Sequence, residues 1–161
     1  MSKSWQIREV AAADHEWVEQ FMEQHWLTSY VVVRGEVIFP ANLPGFACTD
    51  EDTVLGLLTY RVQDSLCEII SLDSLREGEG IGTALIQAAC SAARKQNCQK
   101  VFLITTNDNL PALGFYQKRG FCINAVFPGA VTQSRQMKPE IPLLGISEIP
   151  IRDEIELTFD L

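Results

Sequence analysis

The spacing of apolar residues changes period several times along the chain, and each change marks an element. Residues 5–10 (W-Q-I-R-E-V) alternate apolar and polar, the pattern of a strand with one buried face. Residues 13–26 place apolar side chains at helical spacing after Asp14, a residue type that caps helix starts, and predict a helix. The stretch 30–39 is β-branched around Arg34-Gly35 and then interrupted by Pro40, Pro44 and Gly45, a pattern that fits a loop, a helix or an irregular strand. From Phe46 strands return. Residues 46–49, 53–62 and 66–72, separated by polar turns at 50–52 and 63–65, predict an antiparallel meander.

Beyond residue 80 the period becomes helical. Ile81, Leu85, Ala88, Ala89 and Ala92 form an apolar stripe that closes at Lys95-Gln96-Asn97, and a buried-strand run follows at 101–105. A helix between two strands implies a right-handed crossover, so 66–72 is expected beside 101–105 in parallel. Residues 110–117 predict another helix, with Pro111 in the first turn, where a missing N–H costs nothing. Residues 121–127 and 154–159 predict a closing hairpin, joined by a long linker containing Pro139, Pro142, Gly145 and Pro150. The expectation is one α/β domain over residues 1–161, with a central mixed, mostly antiparallel sheet and helices on both faces.

Composition narrows the partners. The 13 Lys and Arg against 21 Asp and Glu leave a net charge of −8, which repels nucleic acid and favours the approach of a cationic amine. The N-terminal residues have no apolar h-region, and no window approaches the length of a membrane span, so a cytoplasmic protein without a membrane partner is expected. Cys48, Cys67, Cys90, Cys98 and Cys122 show no C-x-x-C spacing and read as small buried hydrophobes. His15 and His25 share one early helix, and no metal site is expected.

The chemistry concentrates between Arg76 and Phe121. The run R-E-G-E-G-I-G-T carries Gly78, Gly80 and Gly82 into the start of a helix, so bare backbone N–H groups and the positive end of the helix dipole face one point. An anionic phosphate suits that point. The second block, N-D-N-L-P-A-L-G-F-Y, offers amides at Asn107 and Asn109 and a phenol at Tyr116. A G-x-G-x-G by itself is an ordinary tight turn; the helix after it and the Asn–Tyr block make it a ligand cradle. Neither the dinucleotide fingerprint G-x-G-x-x-G after a first strand nor the G-K-[ST] of a P-loop is present. Of Phe115 and Tyr116, one is expected in the core and the other toward the ligand.

These residues and this order of elements resemble the GNAT superfamily of acyl-CoA-dependent N-acetyltransferases, most clearly over residues 66–121. The last two glycines of the family's [QR]-x-x-G-x-[GA] signature fall on Gly80 and Gly82, and its Gln or Arg falls on Glu77, a departure with Arg76 one place upstream. The resemblance implies a direct transfer of acetyl from acetyl-CoA to a primary amine, with a small-molecule acceptor. A non-catalytic acyl-CoA sensor and a protein acetyltransferase are the alternatives. It places acetyl-CoA in a wedge between 66–72 and 101–105, pantetheine along Leu72, Ser74 and Leu75, and pyrophosphate on Gly78, Gly80, Ile81, Gly82 and Thr83. It further makes Asn109 and Ala112 cofactor contacts, Tyr116 a cofactor contact and the acid for the leaving thiolate, and Glu68 the general base, with Asp73 in reserve. A backbone N–H near Leu72 would meet the oxyanion. Arg34, Arg135, Lys138 and Arg152 are candidates to grip an acceptor anion, and Tyr30, Phe39, Phe46, Tyr60 and Phe127 are candidate acceptor-pocket walls that more commonly pack in a core. The closing hairpin is a candidate homodimer surface.

Overall fold

The computed structural model describes residues 3–161. The chain opens with β1 (Gln6–Glu9) and α1 (His15–Trp26), then a small hairpin of β2 (Val31–Val33) and β3 (Glu36–Ile38). The meander follows as β4 (Gly45–Asp50), β5 (Thr53–Gln63) and β6 (Leu66–Ser74). Next come α2 (Ile81–Lys95), β7 (Lys100–Thr106), α3 (Leu110–Gln117), β8 (Cys122–Phe127), α4 (Ala130–Met137) and β9 (Glu154–Asp160). Seven strands form one sheet in the order β1-β4-β5-β6-β7-β9-β8, while β2 and β3 pair only with each other.

The region around Arg34-Gly35 is therefore a hairpin. Arg34 and Gly35 both adopt positive φ, 50° and 74°, as a two-residue turn between twisted strands requires. The long linker expected before β9 holds a helix, α4. Gly129 at φ 74° starts it, and buried Val131 and Ser134 dock it. The closing pair β8 and β9 is antiparallel as expected, with β9 inserted between β7 and β8.

Helices cover both faces of the sheet. On one, Ile81, Leu85 and Ala89 of α2 pack on Leu58, Cys67 and Ile69. On the other, Val18, Phe21 and Met22 of α1 meet Leu57, Ile70 and the hairpin residues Val31 and Ile38. Fully buried side chains such as Met22 and Leu85 each contribute about 1.5–3 kcal/mol through removal from water. Four of the five cysteines are buried in this way, whereas Cys122, at the start of the edge strand β8, is exposed.

The parallel pairing of β6 with β7 runs only from Leu66↔Lys100 to Ile69↔Leu103. Past that point β6 stays bonded to β5, after a slip of register that leaves Ile70 as the extra residue, and β7 stays bonded to β9. The two strands thus part in the middle of the sheet. The carboxyl ends of β6 and β7 border a wedge, and both helices that follow them, α2 and α3, begin beside it.

Candidate active site

The turn after β6 makes the first half of the site. Gly78 and Gly80 stand at φ 76° and 80°, backbone that other residues adopt only under strain. Gly80 is the N-cap of α2, and no side chain caps the amides that follow. Those N–H groups and the helix dipole therefore face outward together. Gly82 has a separate reason to be glycine: a Cβ there would lie 2.9 Å from Cζ of Phe115, so α2 and α3 approach closely at this point.

These residues line an open groove of about 640 Å³, bounded also by Leu72, Ser74, Asn109, Ala112 and Tyr116. The backbone of β6 explains how Leu72 and Ser74 contribute. The Leu75 N–H donates to Leu55 O at 2.8 Å, and antiparallel alternation then turns the N–H groups of Leu72 and Ser74 away from β5, into the wedge. Leu75 itself is 45% exposed, with its N–H already used and its side chain outside the groove.

The second half comes from α3. Asn109 caps this helix, its Oδ1 accepting from the Ala112 N–H at 3.2 Å, and its side chain borders both the groove and a second cavity. Asn107 is not part of the groove: its amide donates to Pro150 O and accepts from the N–H groups of Arg152 and Asp153, stapling the β9 approach to the end of β7. Tyr116 is 7% exposed and packs edge-on to both Phe115 and Phe121. Burial, and secondarily the charge of Asp73, push its phenol well above the usual tyrosine value, so it holds its proton at neutral pH. Phe115 and Tyr116 both reach the groove, with Tyr116 the more buried, instead of dividing core and ligand between them.

Two cations stand at the groove, Arg76, beside the family's Gln or Arg position, and Arg119, which the motif does not contain. Arg119 lies 3.5 Å from the Phe115 ring centroid and donates to Thr83 Oγ1 at 2.8 Å, bridging the starts of α2 and the end of α3. Arg76 also lines the groove, with Asp50 and Glu79 about it at 4.0 and 3.9 Å. The Y-x-x-R spacing of Tyr116 and Arg119, one turn of helix, was the available signal.

Neither Glu68 nor Asp73 lines either of these two cavities; Glu68 borders a third, of about 120 Å³, with Arg61 and Phe102. Its carboxylate, 6% exposed, accepts from Arg61 Nε at 2.9 Å, and the same guanidinium holds Glu36 of β3 through two bonds of 2.8 Å. Burial raises the Glu68 carboxyl and Arg61 opposes that rise. Asp73, farther along β6, accepts from the Trp26 indole at 2.8 Å, and burial raises its carboxyl above the usual range.

The second cavity, about 230 Å³, lies beneath the β2–β3 hairpin, lined by Trp26, Val33, Ile70, Ile104, Ser134 and Glu154 among others. Lys138 borders it and donates to the carbonyls of Trp26 and Tyr30, at the end of α1. Arg34 stacks on Phe127 and stands over Glu154; Arg135 donates to loop carbonyls, and Arg152 pairs with Asp153. Phe46 and Tyr60 stack in the core, and none of Tyr30, Phe39, Phe46, Tyr60 or Phe127 lines this cavity. Among the described residues no cluster of His, Cys, Asp or Glu is arranged to hold a metal, and no helix is long and apolar enough to cross a membrane.

A mixed sheet that splits beside a glycine turn and a helix N-terminus defines the acyl-CoA-dependent acetyltransferase architecture. The model of the acetyltransferase (GNAT) family matches residues 5–121, and the chain belongs to that family. It is 46% identical over 145 residues to the "Uncharacterized protein YxbD" of Bacillus subtilis (strain 168), covering 89% of this chain and 91% of that one. In fold it is similar to an "IAA acetyltransferase" of Bacillus cereus ATCC 14579 (TM-score 0.73, 18% identity, 98% of this chain and 99% of that one). It is also similar to a GNAT family acetyltransferase of Elizabethkingia anophelis with acetyl-CoA bound (TM-score 0.68, 18% identity, 99% and 100% covered).

Proposed function

We propose that the chain transfers acetyl from acetyl-CoA to a primary amine of a small molecule by direct attack. The observation that carries this reading is the meeting of two cavities at Asn109, where the sheet parts. The large groove suits the elongated, anionic donor: the uncapped amides from Gly80 to Thr83 receive the pyrophosphate, with Arg76 and Arg119 at its rim. The free N–H groups of Leu72 and Ser74 pair with pantetheine as an added strand would. The smaller cavity holds the acceptor, and its volume lies below the roughly 300–1,000 Å³ of sites for drug-sized ligands.

In the reaction the amine nitrogen forms a bond to the thioester carbonyl carbon while the carbon–sulfur bond breaks. The Leu72 N–H, unpaired in the sheet, stabilises the negative charge that develops on the carbonyl oxygen. Tyr116, protonated at neutral pH, gives its proton to the departing sulfur. The amine must lose a proton, and Asp73 is the candidate to take it: it lines neither cavity itself, but it accepts from Trp26, which lines the smaller one, and its charge acts on Tyr116 in the groove. Glu68 is committed to Arg61 and serves to hold the β2–β3 hairpin.

Thermal unfolding with acetyl-CoA, free CoA and NAD tests the donor half. A ligand at 100 times its Kd adds about 2.7 kcal/mol of stability, and the expectation is a shift with the CoA species alone. Thiol release on adding amines tests the transfer. A shift with NAD, or none with acetyl-CoA, would overturn the reading.

A further inference from the structure

We propose that the acceptor is a short aliphatic diamine, with one amine presented to the thioester and the other held as an ammonium by Glu154. This rests on the acetyltransferase reading and names the substrate class for its smaller cavity.

Much of the lining of that cavity is aliphatic, including Val33, Ile70, Ile104 and Val131. Glu154 is 3% exposed, yet it is not satisfied by the protein. Its Oε2 accepts from the Arg34 backbone N–H at 3.1 Å, while Oε1 has no hydrogen-bond partner among the described residues and the Arg34 guanidinium stays 4.0 Å away. A second buried oxygen on the same cavity, Ser134 Oγ, also has no partner among the described residues. Buried oxygens of this kind are costly unless a donor reaches them, and an ammonium brings three N–H donors.

Lys138, the cation on the cavity, makes no bond to Glu154, whose cationic neighbour is the Arg34 guanidinium. Lys138 spends two of its N–H groups on Trp26 O and Tyr30 O, where it caps the carboxyl end of α1. With those N–H groups spent and the Arg34 guanidinium 4.0 Å from Oε1, what the cavity leaves open to a ligand is the acceptor Oε1 of Glu154. The net charge of −8 attracts a dication in the same sense.

The position of Glu154 decides that it does not serve the reacting nitrogen. The thioester belongs in the wedge between β6 and β7, and Glu154 starts β9, on the far side of β7, opposite Thr106. Neighbouring strands lie about 4.8 Å apart, which separates the two nitrogens by roughly 5–10 Å. A four- or five-carbon chain spans that distance, and its methylenes fit the aliphatic walls.

The test compares 1,4-diaminobutane, 1,5-diaminopentane, n-pentylamine and lysine as acceptors at fixed acetyl-CoA, in the native chain and in Glu154→Gln, by thiol release. The expected result is a kcat/KM for the diamines about tenfold or more above that of n-pentylamine and of lysine, the ratio falling to near unity in Glu154→Gln. A general structural defect would lower all four together and leave the ratio in place. Should the variant fail to fold, calorimetric titration of 1,5-diaminopentane and n-pentylamine into the CoA-loaded native chain reads the same preference. Equal use of diamine and monoamine, a preference for lysine, a ratio unmoved by Glu154→Gln, or acetylation of none of the four overturns the proposal. Stabilisation by acetyl-CoA, measured alongside, tells whether the acetyltransferase reading falls with it.

Discussion

Trp26 Nε1 donates to Asp73 Oδ2 at 2.8 Å, so the last residue of α1 fixes the carboxylate at the open end of β6. Burial holds this carboxyl above the usual range, with the indole bond and His25 opposing the rise. A base must be ionised to work, so kcat/KM is expected to increase with pH through the raised Asp73 value. Asp73→Asn should remove that limb and lower kcat by about 10²–10⁴-fold while acetyl-CoA still binds. The stability effect has the opposite sign. The folded chain binds this proton more tightly than the unfolded one, so the carboxyl's contribution falls as pH rises from the unfolded to the folded value. A rate profile flat across the acid range in the native chain would remove Asp73 from the mechanism.

Tyr116 separates an enzyme from a module that only binds acyl-CoA. Tyr116→Phe removes one oxygen and keeps the ring between Phe115 and Phe121, so the groove should retain its ligand. Loss of the proton donor is expected to cost about 10²–10⁴-fold in kcat with the acetyl-CoA Kd unchanged. Steady-state thiol release beside calorimetric binding checks both halves. Unaltered turnover in the variant would show that the thiolate leaves without help from the phenol.

Glu68 is expected to act on stability alone. Its partner Arg61 also grips Glu36, joining the sheet to the hairpin whose first strand lines the smaller cavity. Glu68→Gln weakens a buried, charge-assisted bond, and a loss on the order of 1–3 kcal/mol follows. Thermal unfolding should show that loss, and the pH profile of kcat should keep its shape. A variant that lost the acid limb of that profile would restore Glu68 as the base.

The surroundings of Glu68 and Asp73 show how far the sequence carries. The parallel pairing of β6 with β7 was legible, because the change from strand to helical period around residue 80 forces a crossover, and the glycine turn announces its own backbone, whereas the parting of the two strands follows only from the family resemblance. The partner of Glu68 was legible too, though it was missed. A two-residue turn at Asp64-Ser65 sets Arg61 opposite Glu68 in the hairpin register. No such rule leads to Trp26 and Asp73, or to Arg34 and Glu154, since these pairs lie 47 and 120 residues apart and meet only through packing. Helix α4 was hidden for a related reason. A-V-T-Q-S-R-Q-M carries a weak apolar pattern, and docking of Val131 and Ser134 supplies what local propensity lacks.

Asp14 controls stability in acid. It stands at the N-cap of α1, yet makes no side-chain cap bond there. Its carboxylate instead accepts from Arg8 at 2.8 and 3.0 Å, from the Ala11 N–H at 2.7 Å and from the Trp17 indole at 2.6 Å, joining β1 to the start of α1. The Arg8 bonds lead in holding this carboxyl far below the usual range. A depressed folded value means that the contribution is complete above the unfolded value of about 4 and is lost as pH falls below it. Asp14→Ala should therefore destabilise the chain at pH 7 by on the order of 1–3 kcal/mol. The deficit should shrink as the native chain itself weakens in acid. Urea midpoints measured from pH 7 down to pH 3 check this, and a deficit that stays constant across that range would mean that Asp14 acts through packing and not through its charge.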